Sequence, residues 1–400
     1  MVQSMERKQT DIPEGYQKTE VGVIPEDWEV KPIGATLQIR HGKSQKLVAS
    51  AFGNYPILAT GGNIGFAKEY LYNKPSVLIG RKGTINKPLY MDTPFWTVDT
   101  LFYSEVNKEY SAKYLFYNFC SINWYAYNEA SGVPSLNAKT IENLLIPLPP
   151  TLAEQTAIAN ALSDMDALID AQEKLIHKKR LIQQGAMQEL LRPKEGWVET
   201  TLFNLTNNKK ELFDDGDWIE ANHISNQGIR ILQTGNIGIG NFVDKTNKKY
   251  LINESFNKLH CKLLQKGDLL ICRLAEPAGR ACILPEIGES KIVTSVDVTI
   301  CRPHEDKINR KFLVQLFSTS EWFKCISENV GGTTHKRISR SALGNIKFRI
   351  PNFSEQNKIS KVLSSMDTEI EQLETQLSKY KQMKTGMMQE LLTGKKRLNH

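Results

Sequence analysis

The residues best suited to chemistry in this 400-residue chain are two sets of basic, amide and hydroxyl side chains interspersed with glycine. The first set is Arg40-His41-Gly42-Lys43-Ser44-Gln45-Lys46 and Arg81-Lys82-Gly83-Thr84-Ile85-Asn86-Lys87, followed by Ser135 and Asn137 in a small-residue loop. The second set is Lys209, Lys210, Asn236, Arg273 and Arg280, then Thr333-Thr334-His335-Lys336-Arg337 through Arg340. Lys and Arg serve phosphates, and Arg, Asn, Gln and His also address base edges, so the chemistry these sets suit is nucleic-acid contact. Taken singly, such a loop is more often a solvated turn. Their recurrence at matched places in two halves of the chain is what gives them weight. The net charge of +7 permits an acidic partner without naming one.

Bond-making chemistry is poorly supported. The chain has no Asp- or Asn-Pro-Pro-aromatic motif of a methyltransferase, since Leu148-Pro149-Pro150-Thr151 lacks both the acid or amide and the aromatic. No GxxxxGK[ST] phosphate loop occurs, and the glycine order in Gly235-Asn-Ile-Gly-Ile-Gly240 is wrong for a dinucleotide fingerprint. Asp268 followed by Glu289-Ser290-Lys291 is a D…ExK arrangement that could hold a metal ion, and it supports the alternative of a site-specific nuclease. Such triplets arise easily by chance, and the matching region of the first half, Pro94-Phe95-Trp96, has neither acid nor lysine. The expectation is a chain that is not itself catalytic and holds no metal or cofactor. Cys120, Cys261, Cys272, Cys282, Cys301 and Cys325 form no CxxC pair and sit mostly in apolar runs, which reads as reduced, buried thiols in a cytoplasmic protein. The start M-V-Q-S-M-E-R-K-Q-T-D has no apolar core of a signal, and no stretch approaches the ~18 apolar residues of a membrane span.

The elements that must position the basic loops are more legible. Pro150–Leu191 recurs, without a gap, as Pro351–Leu392, and 17 of the 42 aligned positions are identical. The chain is therefore a tandem duplication whose halves each end in a long helix. Each helix opens on a capping-box pattern, Thr151-Leu-Ala-Glu154 and Asn352-Phe-Ser-Glu355, just after a proline. The second carries a heptad stripe of Ile359, Leu363, Met366, Ile370, Leu373, Leu377 and Tyr380. The first keeps the register with Ile158, Leu162, Met165, Ile169 and Ile176, and places Gln172 and Lys179 opposite Leu373 and Tyr380 in the alignment. Roughly 38 helical residues span roughly 57 Å, unless Gly185 and Gly386 break the last turns. So narrow a seam needs a partner helix, either from a second molecule or from the other half of the same chain. The intervening globular domain suits two helices running antiparallel within one chain, where they would act as a rigid spacer.

The intervening segments are β-rich, with frequent Gly and Asn turns, and begin near Trp28 and Trp197. Fainter echoes join them. Leu58-Ala-Thr-Gly-Gly-Asn-Ile-Gly65 matches Leu232-Gln-Thr-Gly-Asn-Ile-Gly238, and Ser76-Val-Leu-Ile-Gly-Arg81 matches Asp268-Leu-Leu-Ile-Cys-Arg273. In the latter pair a buried strand delivers an arginine at its end. The boundaries read as 1–149 and 194–349 for the two domains, with helices in 150–193 and 350–400. Similar helices with divergent heads suggest one assembly surface displaying two binding specificities.

The signature Pro149-Pro150-x-x-x-Glu154-Gln155-x-x-Ile158, repeated as Ile350-Pro351-x-x-x-Glu355-Gln356-x-x-Ile359, resembles the specificity subunit of Type I restriction-modification systems. The opening Gly15–Val30 stretch and Gly80-Arg-Lys-Gly83 with Pro94-Phe-Trp-Thr-Val-Asp-Thr100 are similar to the same family, and the likeness covers nearly the whole chain. The resemblance implies an α/β (α+β) architecture: two target recognition domains separated by two long antiparallel helices in an intramolecular coiled coil, a pseudo-two-fold internal repeat. It implies recognition of a bipartite asymmetric site in double-stranded DNA, one half-site per domain, with the spacer set by the helices. It also implies two methyltransferase subunits, which carry S-adenosylmethionine, and restriction subunits, which carry ATP-driven, Mg2+-dependent translocation and cleavage. A DNA-binding regulator without enzyme partners and a purely structural coiled-coil scaffold are the other readings. The first would bind DNA tightly alone, and the second would not bind it at any salt concentration.

Overall fold

Short apolar runs punctuated by Gly, Asn and Pro fold as strands, and the two duplicated segments fold as helices of 39 residues each. The computed structural model describes residues 12–332 and 336–398, so Thr333, Thr334 and His335 lie outside the described residues. Two units form, one from the chain up to Lys174 together with Glu374 onward, the other from Leu175–Leu373.

The first unit contains β1 (Tyr16–Thr19), β2 (Gly22–Pro25), β3 (Glu29–Pro32), β4 (Leu37–Arg40), β5 (Tyr55–Ala59), β6 (Gly62–Ala67), β7 (Ser76–Gly80), β8 (Leu89–Met91), β9 (Trp96–Thr97) and β10 (Leu101–Val106). These are followed by α1 (Ala112–Ser121), α2 (Ala138–Asn143), β11 (Leu145–Leu148) and the start of the long helix α3 (Leu152–Leu190). A four-stranded sheet runs β4-β10-β7-β8, a three-stranded one runs β6-β5-β9, and β1-β2 and β3-β11 are two-stranded. All five residues of β7, S-V-L-I-G, are buried, as expected for a central strand covered on both faces. The core gathers Trp28, Tyr114, Phe119, Trp124 and Ile141 with Ile158 and Leu162 of α3 and with Leu391 and Leu392. The head and the helices therefore share one apolar cluster.

The second unit contains β12 (Val198–Thr200), α4 (Leu202–Leu205), β13 (Phe213–Asp215), β14 (Ile224–Ser225), β15 (Ile229–Leu232), β16 (Lys249–Leu251), α5 (Asn253–Lys258), β17 (Leu269–Cys272), β18 (Ala281–Ile283), β19 (Ile292–Thr294) and β20 (Val298–Cys301). It continues with α6 (Arg310–Leu316), α7 (Ser320–Glu328), α8 (Arg340–Asn345), β21 (Phe348–Ile350) and the long helix α9 (Phe353–Leu391). Its sheet β13-β20-β17-β18 has the strand order of β4-β10-β7-β8. The parallel pair β15-β19 sets Leu232 opposite Thr294, as β5-β9 sets Leu58 opposite Thr97. Trp197, Phe312, Phe317 and Trp322 are packed with Leu191, Ile359 and Leu363. Cys261, Cys272, Cys282 and Cys301 are buried, and burial pushes the Cys282 and Cys301 thiols up to about 12.

Gly185 and Gly386 lie inside their helices and do not interrupt them. The seam residues are the shielded ones. Ile158, Leu162, Ile169, Ile176, Ile359, Leu363 and Ile370 are buried. Met165, Met366, Leu373, Leu377 and Tyr380 are half-buried. In the first unit the early turns of α3 face the late turns of α9 through Lys381–Glu173 at 2.6 Å, Gln172–Gln376 at 3.4 Å and Lys384–Asp166. In the second unit the late turns of α3 face the early turns of α9 through Lys179–Glu369 at 2.6 Å and Gln183–Asp367 at 2.5 Å. The two polar residues of the seam, Gln172 and Lys179, each have a polar partner on the opposing helix.

The helix caps form as expected on one side only. Thr151 Oγ1 accepts from Glu154 N at 3.2 Å, and Asn352 Oδ1 accepts from Glu355 N at 3.0 Å. The carboxylates take outside partners. Glu154 receives Arg397 Nε and Nη2, both at 2.9 Å, and Glu355 receives Trp197 Nε1 at 3.4 Å. The adjacent glutamines are buried clips between head and helix. Gln155 Oε1 accepts from Ser111 N at 2.9 Å and its Nε2 donates to Pro149 O at 3.3 Å. Gln356 repeats this with Asn309 N at 2.9 Å and Pro351 O at 2.9 Å. Ser111 and Asn309 are the N-caps of α1 and α6, so each clip holds the first turn of a head helix against a long helix. Replacing either glutamine with leucine strands a buried amide N–H and a carbonyl. Q155L and Q356L should each lower stability by about 1–3 kcal/mol in urea unfolding. A loss below about 0.5 kcal/mol would show that apolar packing alone sets the docking.

Candidate nucleic-acid interface

In the first unit the buried strand β7 ends at Gly80 and delivers the loop Arg81-Lys82-Gly83-Thr84. A Cβ at Gly80 would lie 2.1 Å from the Thr84 carbonyl oxygen, so only glycine lets the loop fold back so closely. Gly83 has φ of +89°, a backbone conformation that favours glycine. The loop is pinned on both sides. Arg81 N donates to Thr100 O at 2.8 Å, Gly83 N to Pro134 O at 2.8 Å and Leu136 N to Arg81 O at 2.9 Å, and Lys82 pairs with Ser135 across an isolated bridge. Ser135, far from Arg81 and Lys82 in sequence, therefore joins them on one pinned loop pair. Arg81 reaches back to Asp99 O at 3.3 Å, while Lys82, Asn86 and Lys87 are exposed. Asn137 is spent as the N-cap of α2, its Oδ1 accepting from Lys139 N at 2.9 Å.

The loop after β4 passes close to β9. Gly42 is required there, because a Cβ would lie 2.0 Å from Val98 O. Lys43 N donates to Thr97 O at 2.8 Å, and Trp96 Nε1 donates to Lys43 O at 2.8 Å. Lys43 and Lys46 are exposed and form no ion pair among the described residues, whereas Gln45 is half-buried. Arg40 is held by Glu105 at 2.9 Å and Gln38 at 2.7 Å.

The second unit places its counterparts differently. Arg273, Arg280 and Asn236, which the sequence offers as DNA contacts, are spent inside the fold. The buried Arg273 lies at the end of β17, as Arg81 does at the end of β7. Its Nε is 3.0 Å from Asp215 Oδ1, and its other nitrogens donate to Ile338 O at 3.1 Å and Val296 O at 2.6 Å. Arg280 staples four carbonyls, those of Thr234, Ile237, Leu274 and Pro277, at 2.6–3.3 Å. Asn236 is buried, accepting from Gln233 N at 2.9 Å and donating to Val243 O at 2.8 Å. Arg340 is paired with Asp214, and Arg337 stands half-exposed 3.5 Å from Asp297. Lys209, Lys210 and Lys336 are exposed. Burial raises the Asp215 and Asp217 carboxyls above their usual range, partly offset by Thr299 and Arg273 at the first and Lys262 at the second.

The nuclease alternative loses its residues to other partners. Both oxygens of buried Asp268 accept from Arg302 at 2.7 Å, and one accepts from Gln265 N at 2.9 Å. Glu289 accepts from Tyr250 Oη at 3.0 Å, and Lys291 lies 5.8 Å from the centre of the Phe256 ring. Among the described residues no group of three or more His, Cys, Asp or Glu side chains could hold a metal ion, and no helix is long and apolar enough to cross a membrane.

Sequence reasoning missed Leu47 and Phe52, which stand in the first unit almost fully in solvent at 98% and 95% exposure. The only signal for them was their place in a stretch without acidic residues, from Arg40 to Lys68.

In the first unit the basic loops Lys43–Lys46 and Arg81–Thr84 are thus held to the strands beside them by backbone hydrogen bonds. Residues 25–178 and 201–379 match the family described as Type I restriction modification DNA specificity domain, and the chain belongs to that family. It is similar to the Type I restriction enzyme MjaVIII specificity subunit of Methanocaldococcus jannaschii, at 28% identity over 94% of this chain and 95% of that one. The putative MjaX specificity subunit of the same organism is 27% identical over 96% of this chain and 97% of its own length. Among solved structures, the S subunit of a Type I system from M. genitalium superposes with a TM-score of 0.60 at 18% identity, covering 91% of this chain and 96% of that one. A chain from a study of complex assembly and conformational transition in the type I R-M system gives 0.52 at 13% identity, covering 93% and 99%. These structural likenesses bear on the fold, a mixed α/β chain with long helices. The protein's task is DNA recognition within a restriction-modification system, of which it is a non-catalytic component.

The burial contrast between the two arginines gives a direct test. R273A leaves Asp215 and two carbonyls without their partner, so stability should fall by about 3 kcal/mol in urea unfolding. R81A should change stability by less than about 0.5 kcal/mol and instead weaken DNA binding and flatten its salt dependence. Reversed outcomes would mean that the roles of the two strand-end arginines are the opposite of those assigned.

Proposed function

We propose that each unit reads one half of a bipartite, asymmetric site in double-stranded DNA and that α3 and α9 set the separation between the halves. The observation that carries this reading is sameness of scaffold with difference of surface. The same strand order in both units delivers an arginine at the same strand end, where Arg81 meets solvent and Arg273 does not. In this reading the chain divides at 1–149, 150–193, 194–349 and 350–400, with the helices as an intramolecular coiled coil relating the halves by an approximate two-fold axis. Exposed lysines supply salt-dependent attraction to phosphate, and the pinned loops select bases in the grooves. The repeated helical faces, being alike in both halves, dock two methyltransferase subunits, and restriction subunits join that assembly. S-adenosylmethionine then belongs to the methyltransferase subunits, and ATP and Mg2+ to the restriction subunits. The complex works in the cytoplasm, where the DNA is.

The test is to lengthen both helices by one turn, after Gln172 and after Leu373, in the chain co-expressed with its methyltransferase subunit. Four residues add ~6 Å, close to two base-pair rises of ~3.4 Å. Methylated-base mapping across a genome should show both half-sites unchanged and the unread spacer longer by about two base pairs. Changed half-sites with an unchanged spacer would refute the ruler. Tight DNA binding by the chain alone, with no methylation in any co-expression, would favour a stand-alone regulator.

A further inference from the structure

We infer that Leu47 and Phe52 touch the bases of the half-site read by the first unit, as apolar specificity residues beside the cationic ones. The inference rests on the proposed division of half-sites between the units. Single exposed hydrophobic residues are ordinary, but two at 98% and 95% exposure within six positions of one loop are not. On the adjoining strand β6, Ile64 and Phe66 are also exposed, at 54% and 47%.

The loop that carries Leu47 and Phe52 is held, not loose. Ala49 N donates to Gln45 O at 2.8 Å, Ser50 N to Phe66 O at 2.8 Å and Lys68 N to Val48 O at 2.9 Å. Phe52 N donates to Ser50 Oγ at 3.2 Å. Gly53 is pressed onto β6, where a Cβ would lie 2.4 Å from Ala67 O. A pinned backbone that points large apolar groups into water has little to gain from them within its own fold.

Charge selects the occupant. Residues 40–68 contain Arg40, Lys43, Lys46 and Lys68 and no aspartate or glutamate. A pinned apolar tip on a segment whose only charged side chains are cations suits a polyanion with apolar faces inside it. DNA is such a ligand, offering thymine methyls in the major groove and base faces at a step that can be opened. The lysines would hold the phosphates while Leu47 and Phe52 reach past them.

The test uses the full chain co-expressed with its methyltransferase subunit and maps methylated bases for the wild type, L47A, F52A and F52L. Wild type should give a bipartite motif. L47A and F52A should lower methylation of those sites about tenfold or more, or let positions in one half-site become degenerate, with the other half-site and the spacer unchanged. F52L should keep most of the wild-type pattern. Because both side chains are exposed, the unfolding midpoints of all variants should match the wild type. Wild-type patterns and rates in L47A and F52A would overturn the inference. So would loss of methylation that tracks loss of co-purifying methyltransferase, which would make the tip a protein-docking surface. A wild-type complex that yields no bipartite motif would refute the half-site reading itself, and this inference with it.

Discussion

The arrangement of each unit depends on a buried amide. Apolar packing brings Ile158 and Leu162, or Ile359 and Leu363, against a head, but such contacts are non-directional and tolerate sliding. A buried glutamine does not. Gln155 must find both Ser111 N and Pro149 O, and Gln356 both Asn309 N and Pro351 O, or leave polar groups stranded. One rotational and axial setting of head on helix satisfies all of them. The neighbouring glutamates extend the constraint. Glu154 ties Arg397 to the first unit, where Arg397 also meets Asp27 at 2.8 Å and Tyr16 Oη donates to Gly394 O at 3.1 Å. In the second unit Glu355 meets Trp197 from the following segment. Thus Glu-Gln at the head of each long helix fixes both the domain before the helix and the chain after its partner.

With docking fixed by backbone groups and helix residues, the surface of each head is released from structural duty. The consequence appears at the end of the central strands. Arg81 leans on the carbonyl and the exposed carboxylate of Asp99 and stays partly in solvent, whereas Arg273 is caged by Asp215 and two carbonyls. The strand order is the same around both. A scaffold whose stability is vested elsewhere can accept either use of the same position, which is what divergent recognition requires.

The sequence made the periodic features legible and the partnered ones obscure. The helix duplication, the seam and its polar residues read directly from spacing, because burial along a helix follows the period of its apolar residues. The tight turn at Gly80-Arg-Lys-Gly83 was legible because both glycines answer a backbone need that glycine alone meets. Arg273, Arg280 and Asn236 misled because a side chain's charge shows in sequence while its partner does not. Asp215 lies far upstream of Arg273, and the carbonyls around Arg280 carry no residue signature at all. Asp268, the acid of the nuclease alternative, is accounted for in the same way, through Arg302. Leu47 and Phe52 were missed for the converse reason: in a β-rich segment an apolar residue reads as core, and only tertiary structure reveals it in water.

The seam shows how the register of two long helices can be specified without a large interface. Its isoleucines are buried, and Gln172 and Lys179 occupy the seam positions on either side of Ile176. Apolar residues there would strengthen the pair but allow it to slip by a heptad, since every a/d layer would accept every other. Gln172 with Gln376 and Lys179 with Glu369 are mismatched by any such slip. A slip would also pull Arg397, which follows α9, from Glu154 of α3, and Trp197, which follows α3, from Glu355 of α9. Register and head docking are thus enforced by the same kind of interaction, a polar group with one acceptable partner. The register of such a pair is therefore set by which polar groups match, not by how tightly the helices hold.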